Sequence, residues 1–500
     1  MLVVVDNVGK AFRLTSLLIL IDKAAKNPTS KSKVLVNCRN WQLLKSHVSE
    51  DGKVVMKCLE EEQARELFMF HAFHNANHVP TKDFNNICMK SIKACGGLPL
   101  SLKVLGSSLY NTKELEIWEG ALSTLKSGQS LTGGDDNEEL WNTLRISYDH
   151  LDEEHKNMFL DIACFFGGLR INTIHRAWSG DYLHPKFGLR KLQERSLIEE
   201  AEGGILYIHD QLRDMGRKIA TELPIMNRFV WKSNQSNQSN YFLQKDEVVE
   251  HLQGISLKKC DNLPLLSQIN SKGFCNLRLV DLTEASPTIV EHFIQQRNLN
   301  NVKWVCFKNC MMQKLPSNLF SCSQLRMLNL AQCQKLKELP SSIGQLNALQ
   351  ELDLSGCSNL KKLPSSIGKL DALQKLDLRG CSNLKKLPSS IGQLNALKVL
   401  YLSGCDNLEE LPSSIGQLNA LQKFDLCECC NLQELPSCIG QLNALQKLDL
   451  LGCSNLKELP SSIGQLNALQ KLDLSECSNL KELPSSIGQL NALQKLDLSG

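Results

Sequence analysis

From about Leu325 to Gly500 the apolar positions recur with a period of 24 residues. The unit reads Leu-Gln-Lys-Leu-Asp-Leu-Ser-Gly-Cys-Ser-Asn-Leu-Lys-Glu-Leu-Pro-Ser-Ser-Ile-Gly-Gln-Leu-Asn-Ala, and Cys333, Cys357, Cys381, Cys405, Cys429, Cys453 and Cys477 mark the same place in successive copies. In one copy, Leu376 and Leu378 alternate with Lys375 and Asp377, which predicts a short strand with leucines inward and charges outward. Leu384, Leu387, Ile391 and Leu394 supply the other walls, and Leu387-Pro388 with Ile391-Gly392 turn the chain along the back edge. One coil cannot bury its own leucines, so the copies are expected to stack as a curved leucine-rich solenoid. The cysteine column is read as reduced core thiol, small and apolar enough for a buried ladder. Pairing neighbours at the strand spacing would strain every repeat.

Most outward strand positions carry Lys and Asp (Lys375 and Asp377, Lys423 and Asp425, Lys447 and Asp449, Lys471 and Asp473, Lys495 and Asp497). A face so balanced in charge is expected to be simply solvated. The departures are Arg379, Val399, Tyr401, Cys427 and Leu451. Of these, Arg379, Val399, Tyr401 and Leu451 are the candidate partner-binding residues, because exposed aromatic and aliphatic groups anchor protein interfaces.

Upstream the pattern changes. Leu2 to Val5 followed by Asp6 reads as a buried parallel strand with an acid at its carboxyl end, where α/β sheets place ligand chemistry. Ala11 to Ala25 has helical spacing, and Ser32 to Arg39 reads as a second strand. Helices are predicted over Glu60 to Phe73, Phe84 to Cys95 (stopped by Gly96-Gly97), Leu100 to Leu109 after Pro99, and on to Leu125. Helices follow over Leu140 to Leu151, Glu153 to Phe166 and Phe187 to Arg195. Leu197-Ile198 and Ile205 to Ile208 flank Glu202-Gly203-Gly204 as a hairpin, and His209-Asp210 leads into a last helix. Helices ending in a two-stranded wing suggest a winged-helix fold. The resulting partition is 1–58 partial α/β, 59–130 helical, 138–225 winged helix, 226–254 linker, 255–324 degenerate repeats and 325–500 regular repeats, a multidomain α/β and α+β chain.

Composition narrows the partners. Among 500 residues, 56 basic against 53 acidic side chains leave a formal charge of +3, which implies no polyanion partner. The acidic run Asp149 to Glu154 leaves the winged helix no phosphate-binding face, so nucleic acid is not expected. Twenty cysteines are too sparse for a disulfide scaffold. The apolar runs at the start are too short to span a bilayer. A reduced, cytoplasmic or nucleocytoplasmic protein is expected. Cys427, Cys429, Cys430 and Cys438 lack the ligand spacing of a zinc site.

Taken in order, Val3-Val4-Val5-Asp6-Asn7-Val8, Val34-Leu35-Val36-Asn37-Cys38-Arg39, Gly97-Leu98-Pro99-Leu100, Phe159-Leu160-Asp161-Ile162-Ala163-Cys164-Phe165-Phe166 and Ile208-His209-Asp210, all before leucine-rich repeats, resemble the plant NB-ARC leucine-rich-repeat disease-resistance proteins of the TIR type. That resemblance implies an intracellular immune receptor whose ADP/ATP switch is coupled to protein recognition by the repeats. It places a partial nucleotide-binding domain at 1–58, ARC1 at 59–130 and ARC2 at 138–225. Asp6 would take the Mg²⁺ position, Arg39 the phosphate-sensing position and Pro99 the place beside adenine. His209 would contact the ADP β-phosphate, with Gly97, Leu98 and Asp210 associated with the switch. The family is not an enzyme beyond at most a weak ATPase, and it recognises a protein ligand or a guarded host protein, with oligomerisation on activation.

Departures from the pattern accompany it. The phosphate-binding loop expected before the Asp6 strand is not in the sequence, Asn7 replaces a second acid, and the repeats carry no polar cap at Leu498-Ser499-Gly500. The chain is therefore expected to be truncated at both ends, with cofactor binding in doubt. The alternative is a nucleotide-free leucine-rich-repeat scaffold that has lost the switch.

Overall fold

The computed structural model describes residues 2–8, 33–38, 54, 56–74, 82–110, 112, 114–127, 144–222, 229–231, 252–259, 275–295 and 299–499. Strands β1 (Leu2–Val8) and β2 (Lys33–Cys38) pair in parallel, with Val5 opposite Val36. β1 does not end at Asp6 as expected. It runs on to Val8, and its register shifts between Val5 and Val8, so Asp6 lies within the irregularity. The helix expected at 11–25, and Arg39, lie outside the described residues.

Four helices follow: α1 (Glu61–Phe73), α2 (Lys82–Ala94), α3 (Pro99–Ser108) and α4 (Leu115–Ser127). Glu60 and Gln63 form a reciprocal capping box that starts α1. Fully buried Trp118 is the hub, with the rings of Phe68, Phe73 and Phe84 at 6.2, 5.8 and 5.6 Å. Gly97, at φ +70°, closes α2 so that its carbonyl accepts the Leu59 N–H at 2.9 Å; a Cβ there would meet the Leu59 carbonyl oxygen at 2.5 Å.

Residues 144–149 are helical, and α5 (Glu153–Asp161) continues into a π-helical turn at Ile162–Phe166, closed by the Gly167 N–H donating to the Ile162 carbonyl at 3.0 Å. α6 (Ile171–Trp178) was not anticipated, although Ile174, Ala177 and Trp178 form one buried face at helical spacing. α7 (Pro185–Glu194) precedes the wing, β3 (Glu199–Ala201) paired antiparallel with β4 (Ile205–Tyr207). Leu197 and Ile198 are not in the wing as predicted. Ser196 turns the chain at φ +55°, and both residues enter the core instead. α8 (Asp210–Glu222) completes this unit.

The remainder builds one parallel sheet of 12 strands among the described residues: β5 (Phe229–Trp231), β6 (Gly254–Ser256), β7 (Leu279–Asp281), β8 (Trp304–Cys306), β9 (Met327–Asn329), β10 (Glu351–Asp353), β11 (Lys375–Asp377), β12 (Val399–Tyr401), β13 (Lys423–Asp425), β14 (Lys447–Asp449), β15 (Lys471–Asp473) and β16 (Lys495–Asp497). The sheet starts earlier than expected, because β5 falls inside the stretch read as linker. A helix, α9 (Pro287–Gln295), backs the early repeats. Short 3-10 turns such as Ser389–Gln393 back the regular ones. These turns stack closely, and a Cβ on Gly392 would stand 2.4 Å from the Ser414 carbonyl oxygen.

Leu373, Leu376, Leu378, Cys381, Leu384, Leu387, Ile391 and Leu394 are all buried, so one repeat places eight apolar side chains in the common core. The cysteine column is free thiol, as read from the sequence. Each Sγ–H donates to a backbone carbonyl one repeat back, that of Phe307 for Cys333 and of a leucine for the others, for example Cys381 to Leu354 at 3.3 Å and Cys405 to Leu378 at 3.2 Å. Burial pushes the Cys405 thiol up to about 12, which keeps it protonated and able to donate.

Candidate functional site

On β6 to β15 the central residue enters the core, whereas on β16 Leu496 is 39% exposed; the two flanking residues of β7 to β16 face the concave side. Two columns result: Leu279, Trp304, Met327, Glu351, Lys375, Val399, Lys423, Lys447, Lys471 and Lys495 in one, and Asp281, Cys306, Asn329, Asp353, Asp377, Tyr401, Asp425, Asp449, Asp473 and Asp497 in the other. Direct register joins neighbours along both.

The winged-helix unit sits on the first part of this face. Leu279, Trp304, Cys306 and Met327 belong to its apolar core rather than to that of the repeats. Phe165 and Phe166, from the π-helical turn, meet the Trp304 ring edge-on at centroid distances of 6.1 and 5.7 Å. A polar network borders this contact. Asp161, wholly buried, accepts hydrogen bonds from Trp178 Nε1 and Tyr182 Oη, each at 2.8 Å, and from Arg278 at 3.3 Å. Arg278 also donates to Asp181 at 2.7 Å and to Gln253 Oε1 at 3.1 Å, and Lys303 pairs with Asp181. Burial alone would lower the Arg278 pKa. Asp161, Tyr182 and Asp181 outweigh it and hold the guanidinium above its ordinary range. The last contact is Glu351, which takes Arg176 at 3.0 Å, Thr173 at 3.2 Å and Lys375 at 2.6 Å.

The sequence assigned none of these residues this role, although Asp161, Phe165 and Phe166 stand in the Phe159 to Phe166 string and Lys375 in the outward column. A signal existed: an acid inside the apolar string Phe159 to Phe166 must find partners if buried. Leu279, Trp304 and Met327 also stand where regular repeats carry lysine.

Beyond β10 the face is open. Arg379 grips fully buried Asp377 through two bonds of 2.9 and 2.6 Å and lies over the Tyr401 ring at 5.0 Å. Val399 shares the Tyr401 strand and both are half-buried, so Arg379, Val399 and Tyr401 form one patch. Leu451 follows β14, two strands further on, and does not join it. The expectation of a simply solvated charge face needs correction. Asp377 is not solvated, and the aspartates along the column act as turn acceptors: the N–H two residues on donates to Asp353 at 2.9 Å and to Asp425 and Asp473 at 3.1 Å. Burial, with Asp377 next to it, raises the Asp353 pKa.

Of the predicted nucleotide residues, Pro99 and His209 have described side chains. Pro99 is exposed in the first turn of α3, after Leu98, which is also exposed. His209 is half-buried before α8, and its Nδ1 accepts the Gln211 N–H at 3.2 Å. A neutral ring so bound carries its proton on Nε2. His209 thus caps α8, and Asp210 pairs with Arg213 at 2.7 Å in its first turn. The helix opened by Pro99 gives Leu102 and Leu105 to the Trp118 core and Val104 to the winged-helix core, which also takes Ile208 and Leu212 on either side of His209.

Residues 152–223 match the family described as "Disease resistance protein Roq1-like, winged-helix domain". Residues 349–431 match a leucine-rich repeat region, and 468–490 a leucine-rich repeat. TMV resistance protein N of Nicotiana glutinosa is 31% identical over 38% of this chain and 15% of its own length. Disease resistance protein RPP2B of Arabidopsis thaliana is 31% identical over 39% and 15%, and RPV1 of Vitis rotundifolia 29% identical over 59% and 21%. The chain thus has a winged-helix domain and leucine-rich repeats related to those of plant disease-resistance proteins, and it covers 15% to 21% of the lengths of these three. No helix among the described residues is long and apolar enough to cross a membrane.

Proposed function

We propose that this chain is the recognition and relay part of a plant immune receptor: the open concave strands β11 to β16 capture a protein, and the winged helix reports capture to a nucleotide-binding half. The observation that carries the reading is the winged helix seated on the concave face of β7 to β10. Any partner engaging Arg379 and Tyr401 lies beside Lys375, whose Nζ is 6.0 Å from the Tyr401 ring centroid and 2.6 Å from Glu351. Glu351 in turn holds Arg176 and Thr173 of α6. Capture and domain contact therefore share one chain of charges, and a partner shifts the contact only as far as it binds one arrangement better than the other.

ADP or ATP belongs to the same proposal. His209, with Nε2–H as a donor, suits a phosphate oxygen, and Pro99 offers an exposed ring for a base; Asp6 and Arg39 would supply the Mg²⁺ and phosphate contacts. Bound nucleotide would contribute a polyanion that these residues hold, while Gly97, Leu98 and Asp210 shape the flanking turns. The test is to denature the purified, folded chain and assay the supernatant for nucleotide. Stoichiometric ADP or ATP, lost in His209→Ala, supports the switch; a well-folded sample without nucleotide favours the protein-interaction scaffold. Capture is tested with a photo-crosslinking residue at position 401 against one at exposed Ser389, in the turn that backs the repeats. Adducts formed equally from both positions would refute recognition on the concave face.

A further inference from the structure

The two concave columns from β13 onward are not equally available, although they carry equal and opposite charge. The aspartates are drawn inward: Asp425, Asp449, Asp473 and Asp497 each accept the N–H two residues on, at 3.1, 3.4, 3.1 and 3.4 Å. The lysines stand out. Side-chain exposure is 45% for Lys447 against 15% for Asp449, and 62% for Lys495 against 31% for Asp497. Lys423 and Lys471 are exposed, and neither takes part in an ion pair among the described residues. Lys423, Lys447, Lys471 and Lys495 are direct register neighbours in the sheet; Lys447 pairs with Asp449 at 2.8 Å and Lys495 with Asp497 at 3.3 Å, which leaves Lys423 and Lys471 as the cations of the column that still call for counter-charge. Exposed Lys398 extends the track beside Val399.

The molecule itself shows what basic groups on this face accept. Where the face is occupied, Arg278 and Lys303 receive Asp161 and Asp181 of the winged helix, next to an apolar contact on Trp304. The open part repeats that chemistry, with an apolar patch at Val399 and Tyr401 beside a row of cations. We propose that the track from Lys398 to Lys495 binds an acidic segment of a protein partner, its carboxylates lying across successive strands and its apolar end on Tyr401. This rests on the concave-face reading above and names the chemical class of the partner. The five strands β12 to β16, about 4.8 Å apart, span about 19 Å, which an extended chain covers in about seven residues.

The experiment uses the whole chain and a fluorescein-labelled peptide of about eight residues, rich in Glu and bearing one Leu, against its Gln counterpart, followed by anisotropy. The acidic peptide should bind and the Gln peptide should not, and binding should weaken as salt rises from about 0.05 to 0.5 M. Lys423→Glu with Lys471→Glu should weaken binding at least about tenfold while circular dichroism stays unchanged, since both side chains are exposed. Equal binding of the Gln peptide, no binding of the acidic one, or indifference to the double reversal would each overturn the proposal. If it falls while position 401 still gives adducts that position 389 does not, the partner is not acidic and the concave reading stands. Loss of that difference removes the concave reading itself.

Discussion

In β7 to β10 the first concave column reads Leu279, Trp304, Met327 and Glu351; in β13 to β16 it reads Lys423, Lys447, Lys471 and Lys495. The backbone and the register are the same. What differs is the cover: the first set is buried under Phe165, Phe166 and the Asp161 network, and the second meets solvent. A leucine-rich strand accepts either chemistry, because its inward leucine carries the fold and its flanking positions are free to match whatever lies on them. The degenerate strands β7 and β8 lie under the intramolecular partner, and the cover reaches onto the first two regular repeats at Met327 and Glu351. Glu351 and Lys375 form the boundary.

The strongest way to break this comparison is Asp161→Ala. It removes the acceptor of Trp178 and Tyr182 and strips Arg278 of a buried counter-charge, so a loss of about 3–5 kcal/mol is expected in urea unfolding. Intact stability would show that the network bears no weight. Next, Trp304→Ala should cost about 3–5 kcal/mol, whereas Val399→Ala, at the same column position in the open part, should cost under about 0.5 kcal/mol; equal losses would erase the distinction between the two regions. Gly392→Ala probes the solenoid apart from either cover. Its Cβ would meet the Ser414 carbonyl oxygen at 2.4 Å, and overpacking of about 1–3 kcal/mol should lower the melting temperature. The smallest effect has the opposite sign. Glu428 holds φ +56° where neighbouring repeats place Gly404 and Gly452 at +69° and +70°, so Glu428→Gly should stabilise by about 0.5 kcal/mol. A loss on calorimetry would mean that the glutamate side chain contributes more than its backbone strain costs.

The period of 24, the inward leucines, the reduced cysteine ladder and the Gly203-Gly204 wing turn were legible in the sequence, because each follows from side chains only a few residues apart. Tyr401 with Arg379 was legible as well, as a departure from a regular column. The withdrawal of the aspartates was not. Whether an outward carboxylate meets water or the N–H two residues on depends on the bend at the strand's end, which alternation does not encode.

By itself, then, the sequence determined the repeat, its core and the order of its modules, since local periodicity dictates which faces must be buried. Only the tertiary structure decided which stretch of the concave surface is occupied. Asp161 and Arg278 lie 117 residues apart and Arg176 and Glu351 lie 175 apart. Their meeting depends on how the π-helical turn and α6 settle on the first repeats. A buried carboxylate's need for a partner can be read from its neighbours in the chain, but the identity of that partner is set by packing across the domain boundary.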